Sequence, residues 1–176
     1  VDGILLRISW RDLEKVKWTY DFSLIDYQID LAKEYGKKIT LSVIVETPDW
    51  FKNDENTFYY DFDWWIKDMA YPWNENFLTN YKKLISALWD KYNNEETIGL
   101  VQAWNSSFNG IEMQYYRDIK ESDLWYTNEK AIYSWKEVLS SFKESFPNKI
   151  IANDYHPILW NEEPTKEIYD YAKENL

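Results

Sequence analysis

Residues 23–45 read SLIDYQIDLAKEYGKKITLSVIV. Two periods meet in this stretch. From Ser23 to Tyr35 the apolar residues Leu24, Ile25, Ile29, Leu31 and Ala32 recur at helical spacing, with Ser23 as N-cap and Gly36 just past the C-terminus. From Lys38 to Val45 the chain is short, apolar and rich in β-branched residues, as in a strand covered on both faces. A helix that ends at glycine and runs into such a strand is half of a βαβ unit, so the fold class depends on whether the pattern repeats.

It repeats in both directions. Upstream lies Gly3–Ser9 (GILLRIS); downstream lie Ile98–Trp104 (IGLVQAW) and Lys149–Asn153 (KIIAN). Helical stripes separate them. Asn76–Tyr92 carries Phe77, Leu78, Tyr81, Leu84, Ile85, Leu88 and Trp89; Thr127–Phe146 carries Ala131, Ile132, Trp135, Val138, Leu139 and Phe142. Pro164–Glu174 reads as a short closing helix with proline near its first turn. The reading is an α/β chain of parallel βα units, one domain over residues 1–176. Two insertions, Thr47–Glu75 and Asn105–Tyr126, interrupt it, and both follow strands.

Composition narrows the function. The 176 residues include 11 Trp, 15 Tyr and 8 Phe, and 31 acidic residues stand against 20 basic ones, a net charge of −11. Such a chain repels phosphate backbones, so nucleic acid is not an expected partner. No apolar run reaches 18 residues, so no membrane partner is expected. There is no Cys, and a single His makes no common zinc site without several carboxylates; there is also no Gly-rich phosphate loop or GxSxG elbow, and the expectation is no cofactor and no metal. The chain begins at Val1 without a basic-then-apolar leader and reads as processed or cut. Its compartment stays open, secretion or the cell surface included.

Parallel α/β folds bind ligands at the carboxyl ends of their strands. Those ends supply Arg7, Glu46, Trp50, Trp104, Asn105, Asp154, Tyr155 and His156, and the loop after the third strand runs on to Glu112. Aromatic faces stack on the C–H surface of a pyranose, and amides and carboxylates bind its hydroxyls. The inventory therefore suits an oligo- or polysaccharide, and a carboxylate pair there cleaves glycosidic bonds. Trp50 and Trp104 are the expected stacking residues; Trp64, Trp65, Trp73 and Trp125 are left to lining and loop packing, and Trp89 and Trp135 to the core. Arg7, inside an apolar strand, is expected to be buried against an acid or to serve the site.

The phrases VDGILLRISWRDLE, YDFSLIDYQIDLAKEYGKKITLSV, TPDWF and VQAWNSSFNGIEM resemble the early strands of the retaining (β/α)8-barrel glycoside hydrolases, in the β-galactosidase-like and cellulase-like branch. The resemblance covers most of the chain. It implies part of a TIM barrel, with the opening strand in the family's second place and Ile98–Trp104 in its fourth. It further implies that Glu112 is the acid/base, that Arg7 sits beside the nucleophile and that Trp104–Asn105 match the Trp-Asn before the acid/base. Two departures follow. Asn105 is followed by Ser106 where the family has Glu, so either a short insertion displaces the acid to Glu112 or the catalytic position is lost. The family's nucleophile ends the seventh strand, beyond this chain, and a complete barrel takes about 250 residues. The remainder of the barrel or a self-association partner is then expected. The alternative function is a non-catalytic carbohydrate-binding barrel or an inactive fragment.

Overall fold

The computed structural model describes residues 2–121 and 126–176. In chain order its elements are β1 Gly3–Ser9, α1 Trp10–Leu13, α2 Ser23–Glu34, β2 Lys38–Ile44, β3 Thr57–Phe62, β4 Trp65–Ala70, α3 Glu75–Tyr92, β5 Ile98–Gln102, α4 Asn128–Ser145, β6 Ile150–Ala152 and α5 Glu162–Asn175. A 3₁₀ turn spans Arg117–Glu121.

Strands β1, β2, β5 and β6 form one sheet in that order, every pair parallel. Each strand is joined to its neighbour by a helical crossover, as the alternating pattern requires. The helices cover one face of the sheet. Ile39, Leu41, Val43 and Val45 of the β2 segment are at most 2% exposed on that side. They join a core with Ile25 and Ile29 of α2 and with Phe77, Tyr81, Leu84, Ile85 and Leu88 of α3. The α4 stripe is buried through Trp135, Val138, Leu139 and Phe142. Trp89, expected in the core, is 38% exposed, on the flank of the buried α3 stripe.

Helix ends are fixed by side chains at three of the four long helices. Asn74 accepts from the backbone N–H groups of Asn76 and Phe77, Thr127 from Lys130, and Asn161 from Glu163. At α2 the expectation is corrected. Phe22 occupies the N-cap position, Ser23 is the first helical residue, and Asp21 Oδ1 accepts from the Ser23 N–H at 3.0 Å. Gly36 does turn left-handed beyond the helix, at φ +59°.

The opposite face of the sheet is open at β1 and β6 and covered in the middle, where Ser42 is fully buried. Register places Leu5, Thr40, Leu100 and Ile150 in one layer and Arg7, Ser42, Gln102 and Ala152 in the next. Leu5 is 47% and Ile150 66% exposed. Arg7 is therefore exposed on this open face rather than buried, with no ion pair among the described residues.

The first insertion contains the antiparallel hairpin β3–β4, which the sequence reading takes for a loop. Aromatic residues fall on both sides of β3, at Phe58, Tyr59, Tyr60 and Phe62, which hides the period of two. Its turn is Asp63–Trp64, at φ +46° and +72°, where Asn-Gly or Asp-Gly is the recognisable signal. Asp68 of β4 fastens the hairpin to the β2 end, accepting from Thr47 Oγ1 at 3.1 Å and Lys52 Nζ at 3.0 Å.

Candidate functional site

The chain leaves every sheet strand at the same edge of the molecule, because the strands are parallel, and the two insertions gather there. The loop after β5 doubles back onto β2. Gly110, at φ +74°, accepts from the Val45 N–H at 2.9 Å. A Cβ on Gly110 would lie 2.6 Å from Ile44 Cγ2 and 3.0 Å from Val45 N, so only glycine permits this approach. Asn109 then closes the turn, its Oδ1 accepting from the backbone N–H of Ile111 at 3.2 Å and of Glu112 at 3.1 Å. Glu112 is thereby carried back beside the end of β2. It is half-buried.

The expected site residues separate into groups. Trp104 is 4% exposed, and its indole N–H donates to Ser42 Oγ at 2.8 Å, so the ring lies across from β5 to β2. Asn105 is fully buried; its amide donates to Ser134 Oγ at 3.1 Å and accepts from the Ser106 N–H at 2.8 Å. Ser106 is also fully buried and donates to Ala70 O at 2.6 Å. Glu46 has an exposed side chain, while its carbonyl accepts from the Arg11 N–H at 3.0 Å. Trp50 donates to Glu14 O at 2.8 Å and packs edge-on against Trp10 and Phe51, within a cluster that continues to Phe77 and Tyr81. Arg7 is one layer below the strand ends. After β6, Asp154 Oδ2 lies 2.9 Å from His156 Nε2, and Tyr155 is set edge-on to Tyr169 at 5.2 Å. Burial pushes the Tyr155 phenol up from its ordinary value.

Of the expected residues, His156 alone lines a cavity of about 600 Å³ among the described residues. Its walls are the tip of the β3–β4 hairpin (Asp61, Phe62), the loop after β5 (Phe108, Tyr116) and the turn before α5 (Leu159, Trp160). Hairpin and loop form one wall. The Tyr60 and Tyr116 rings stack at 4.4 Å, the Tyr60 hydroxyl donates to Phe108 O at 2.6 Å, and the Tyr116 hydroxyl donates to Asp61 O at 2.7 Å. Burial, with Asp68 and Tyr116 nearby, pushes Tyr60 up to about 12, so it stays a neutral donor. Sequence reasoning missed this cavity because its walls come from a hairpin it did not see. One signal was available in Trp160, an aromatic directly before the helix cap Asn161 and outside any apolar period.

The other aromatic residues divide as well. Trp73 is buried edge-on to Tyr115 and Tyr126, and Trp64 and Trp65 are exposed on the hairpin. Trp125 lies outside the described residues. No group of three or more His, Asp or Glu is placed to hold a metal ion among the described residues, and no described helix is long and apolar enough to cross a membrane.

No family model matches the sequence, and no curated protein matches it. Solved structures do. A β-galactosidase from the psychrophilic Marinomonas ef1 superposes with a TM-score of 0.60 at 9% identity, over 93% of this chain and 35% of that one. A GH5_18 protein variant from Streptomyces cattleya, in complex with Manβ1-4GlcNAc, gives 0.58 at 8% identity, over 86% and 35%. The exo-β-1,4-mannosidase Op5Man5 from an Opitutaceae bacterium gives 0.53 at 14% identity, over 86% and 25%. The fold is part of a (β/α)8 barrel. This chain spans about a quarter to a third of the length of those structures. In barrel terms the helix-covered face is the outside, the opposite face with Arg7, Ser42 and Gln102 is the lumen side, and the Glu112 loop and the cavity lie at the carboxyl ends of the strands.

Proposed function

We propose that this chain belongs to a glycoside hydrolase acting on β-linked glycosides with retention, and that the Glu112 loop carries its acid/base. The observation that carries the reading is the clamp of Gly110 onto Val45. It returns a carboxylate seven residues past Asn105 to the carboxyl edge of the sheet, where barrel enzymes do their chemistry. Glu112 protonates the leaving oxygen and then, as a carboxylate, activates water. The nucleophile comes from a later βα unit of the complete barrel. The exposed guanidinium of Arg7 faces the lumen and holds that carboxylate ionised. Trp104 supports the floor of the site from Ser42, and Asp154, Tyr155, His156 and Glu46 surround the sugar. Asn105 and Trp50 act mainly by holding their loops, since their polar groups are already taken.

The test is Glu112→Gln in a polypeptide that contains this chain and the remaining βα units. Hydrolysis of a β-linked oligosaccharide should fall by at least about 100-fold, with the basic limb of the pH–rate profile lost. Unchanged hydrolysis would remove Glu112 from the acid/base role.

A second reading has one specific observation in its favour. The position directly after Trp104–Asn105 is Ser106, sealed from solvent and bonded to Ala70 O. A chain that has lost its acid there would bind glycans without cleaving them. Tryptophan fluorescence during a glycan titration, run beside a product assay, separates the two: binding without products favours this reading.

A further inference from the structure

We propose that the cavity between the hairpin tip and the turn before α5 is a separate saccharide subsite, with the Trp160 indole as its stacking platform, so that the ligand is an oligosaccharide. This rests on the glycan-directed reading above and extends it to the hairpin tip and the turn before α5.

Three observations carry it. Trp160 lines the cavity, yet it is 96% exposed. Its indole is therefore not held by packing. It also stands in left-handed backbone, φ +66°, directly after Leu159 at φ +50°. A bulky residue is costly in that conformation, and glycine would carry the same turn without strain. Trp64 in the hairpin turn shares this strain and exposure, but Trp160 alone of the two lines the cavity, which gives its strained position a use.

The mount is rigid. Ile158 and Asn161 close the turn in both directions, N–H to O at 3.0 and 2.9 Å, and Ile158 is fully buried. Thr165 Oγ1 donates to His156 O at 2.6 Å, which ties the approach to the turn onto α5. The facing wall is fixed by the Tyr60–Tyr116 stack and its two hydroxyl bonds. Two rigid walls flanking about 600 Å³ need little ordering to bind.

The rim has the chemistry of a hydroxyl-rich, uncharged ring. Asp61 and Asp63 accept, Arg117 donates, and His156, beside Asp154, does either. Phe62, Phe108 and Trp160 supply apolar faces for the C–H side of a pyranose. Charges of both signs at one rim oppose a strongly charged ligand and suit alternating hydroxyl donors and acceptors. The Glu112 loop contributes Phe108, Gln114 and Tyr116 to this cavity but not Glu112, so a sugar held here is the neighbour of the unit that meets the Glu112 carboxyl.

In a polypeptide that contains this chain and the remaining βα units, the experiment titrates β-1,4-linked mannotetraose, cellotetraose and the corresponding methyl β-monosaccharides into the parent, its Trp160→Ala and Trp160→Gly variants, and Glu112→Gln, by calorimetry with hydrolysis assayed in parallel. At least one tetraose should bind the parent about tenfold or more tighter than its monosaccharide. Both Trp160 variants should lose that preference while keeping monosaccharide binding. Trp160→Gly should also melt no lower than the parent, which a structural role for the indole would not allow. Equal tetraose affinity in parent and Trp160 variants overturns the subsite, even if Glu112→Gln abolishes hydrolysis. Loss of tetraose binding in the Trp160 variants alongside unimpaired hydrolysis by Glu112→Gln upholds the subsite and overturns the assignment of Glu112. Failure of every glycan to bind overturns both.

Discussion

Gly110 shows how one missing side chain sets the position of another. Its left-handed backbone and its contact with Val45 bring Glu112 to the sheet edge. Gly110→Ala should therefore cost about 1–3 kcal/mol of stability, since it adds both a disfavoured φ and a Cβ against the β2 backbone. It should also depress activity beyond the stability loss, because the turn must shift. Chemical denaturation and a rate measured well below the melting temperature check the two effects separately. At this scale the sequence was partly legible. Glu112, Trp104 and His156 were recognisable as residue types following strands. Their partners were not, because nothing in a linear chain tells that the Asn105 amide is spent on Ser134 or that the Trp50 indole is spent on Glu14. The choice at Arg7 between a buried ion pair and a site role stays open in the sequence for a related reason. Burial of a strand residue depends on what covers each face: on the lumen face Arg7 and Leu5 are exposed, whereas Ser42 lies against Trp104 and is fully buried.

Among the elements, the sheet strands and long helices were readable because each carries an unbroken apolar period, and Gly36 and Thr127 mark their ends where expected. The hairpin was not readable, since its turn violates the residue preferences that announce such turns. Its attachment is polar. Asp68 holds Thr47 and Lys52 and lies 3.8 Å from Arg11. Asp68→Ala leaves Lys52 and Thr47 without this acceptor and should destabilise by about 1–2 kcal/mol. It should also open residues 57–70 to limited proteolysis before the sheet unfolds; protection equal to the parent's would show that the aromatic contacts suffice. At the opposite edge of the sheet, Glu95 joins α2 to the start of β5. Burial alone would raise its carboxyl, but the hydrogen bonds from Lys33 and from Thr97 outweigh it and bring the group down to about 2 from 4.5. A carboxyl with a lowered folded value stabilises the fold above its unfolded value and loses that contribution as pH falls from about 4.5 toward 2. The contribution is at most about 3 kcal/mol, reduced by solvent screening at a site open to water. Glu95→Gln should be less stable than the parent at pH 7, and the gap should close by pH 2, as read from melting temperatures across that range.

For the whole molecule, four consecutive parallel strands with helices on one side and a lumen face of mixed polarity on the other account for the opening pattern of residues 23–45 and for the exposure of Leu5 and Ile150. The aromatic surplus is divided between uses. Trp10, Trp135, Tyr81 and Phe77 fill the core, the Tyr60–Tyr116 stack ties the insertions together, and Trp160 stands free at the cavity. The architecture was legible because βα alternation leaves few topologies open. The cavity was not, because it arises only when residues about 100 positions apart meet, Asp61 and Phe62 with Leu159 and Trp160. The central claim, that the Glu112 loop serves a retaining β-glycosidase, is tested most directly by anomer-resolved NMR of the first product from a β-linked oligosaccharide. Protein containing this chain and the rest of the barrel should release the β-anomer first, and Glu112→Gln should release it at least about 100-fold more slowly. Release of the α-anomer first, or equal rates for the two proteins, would contradict the account.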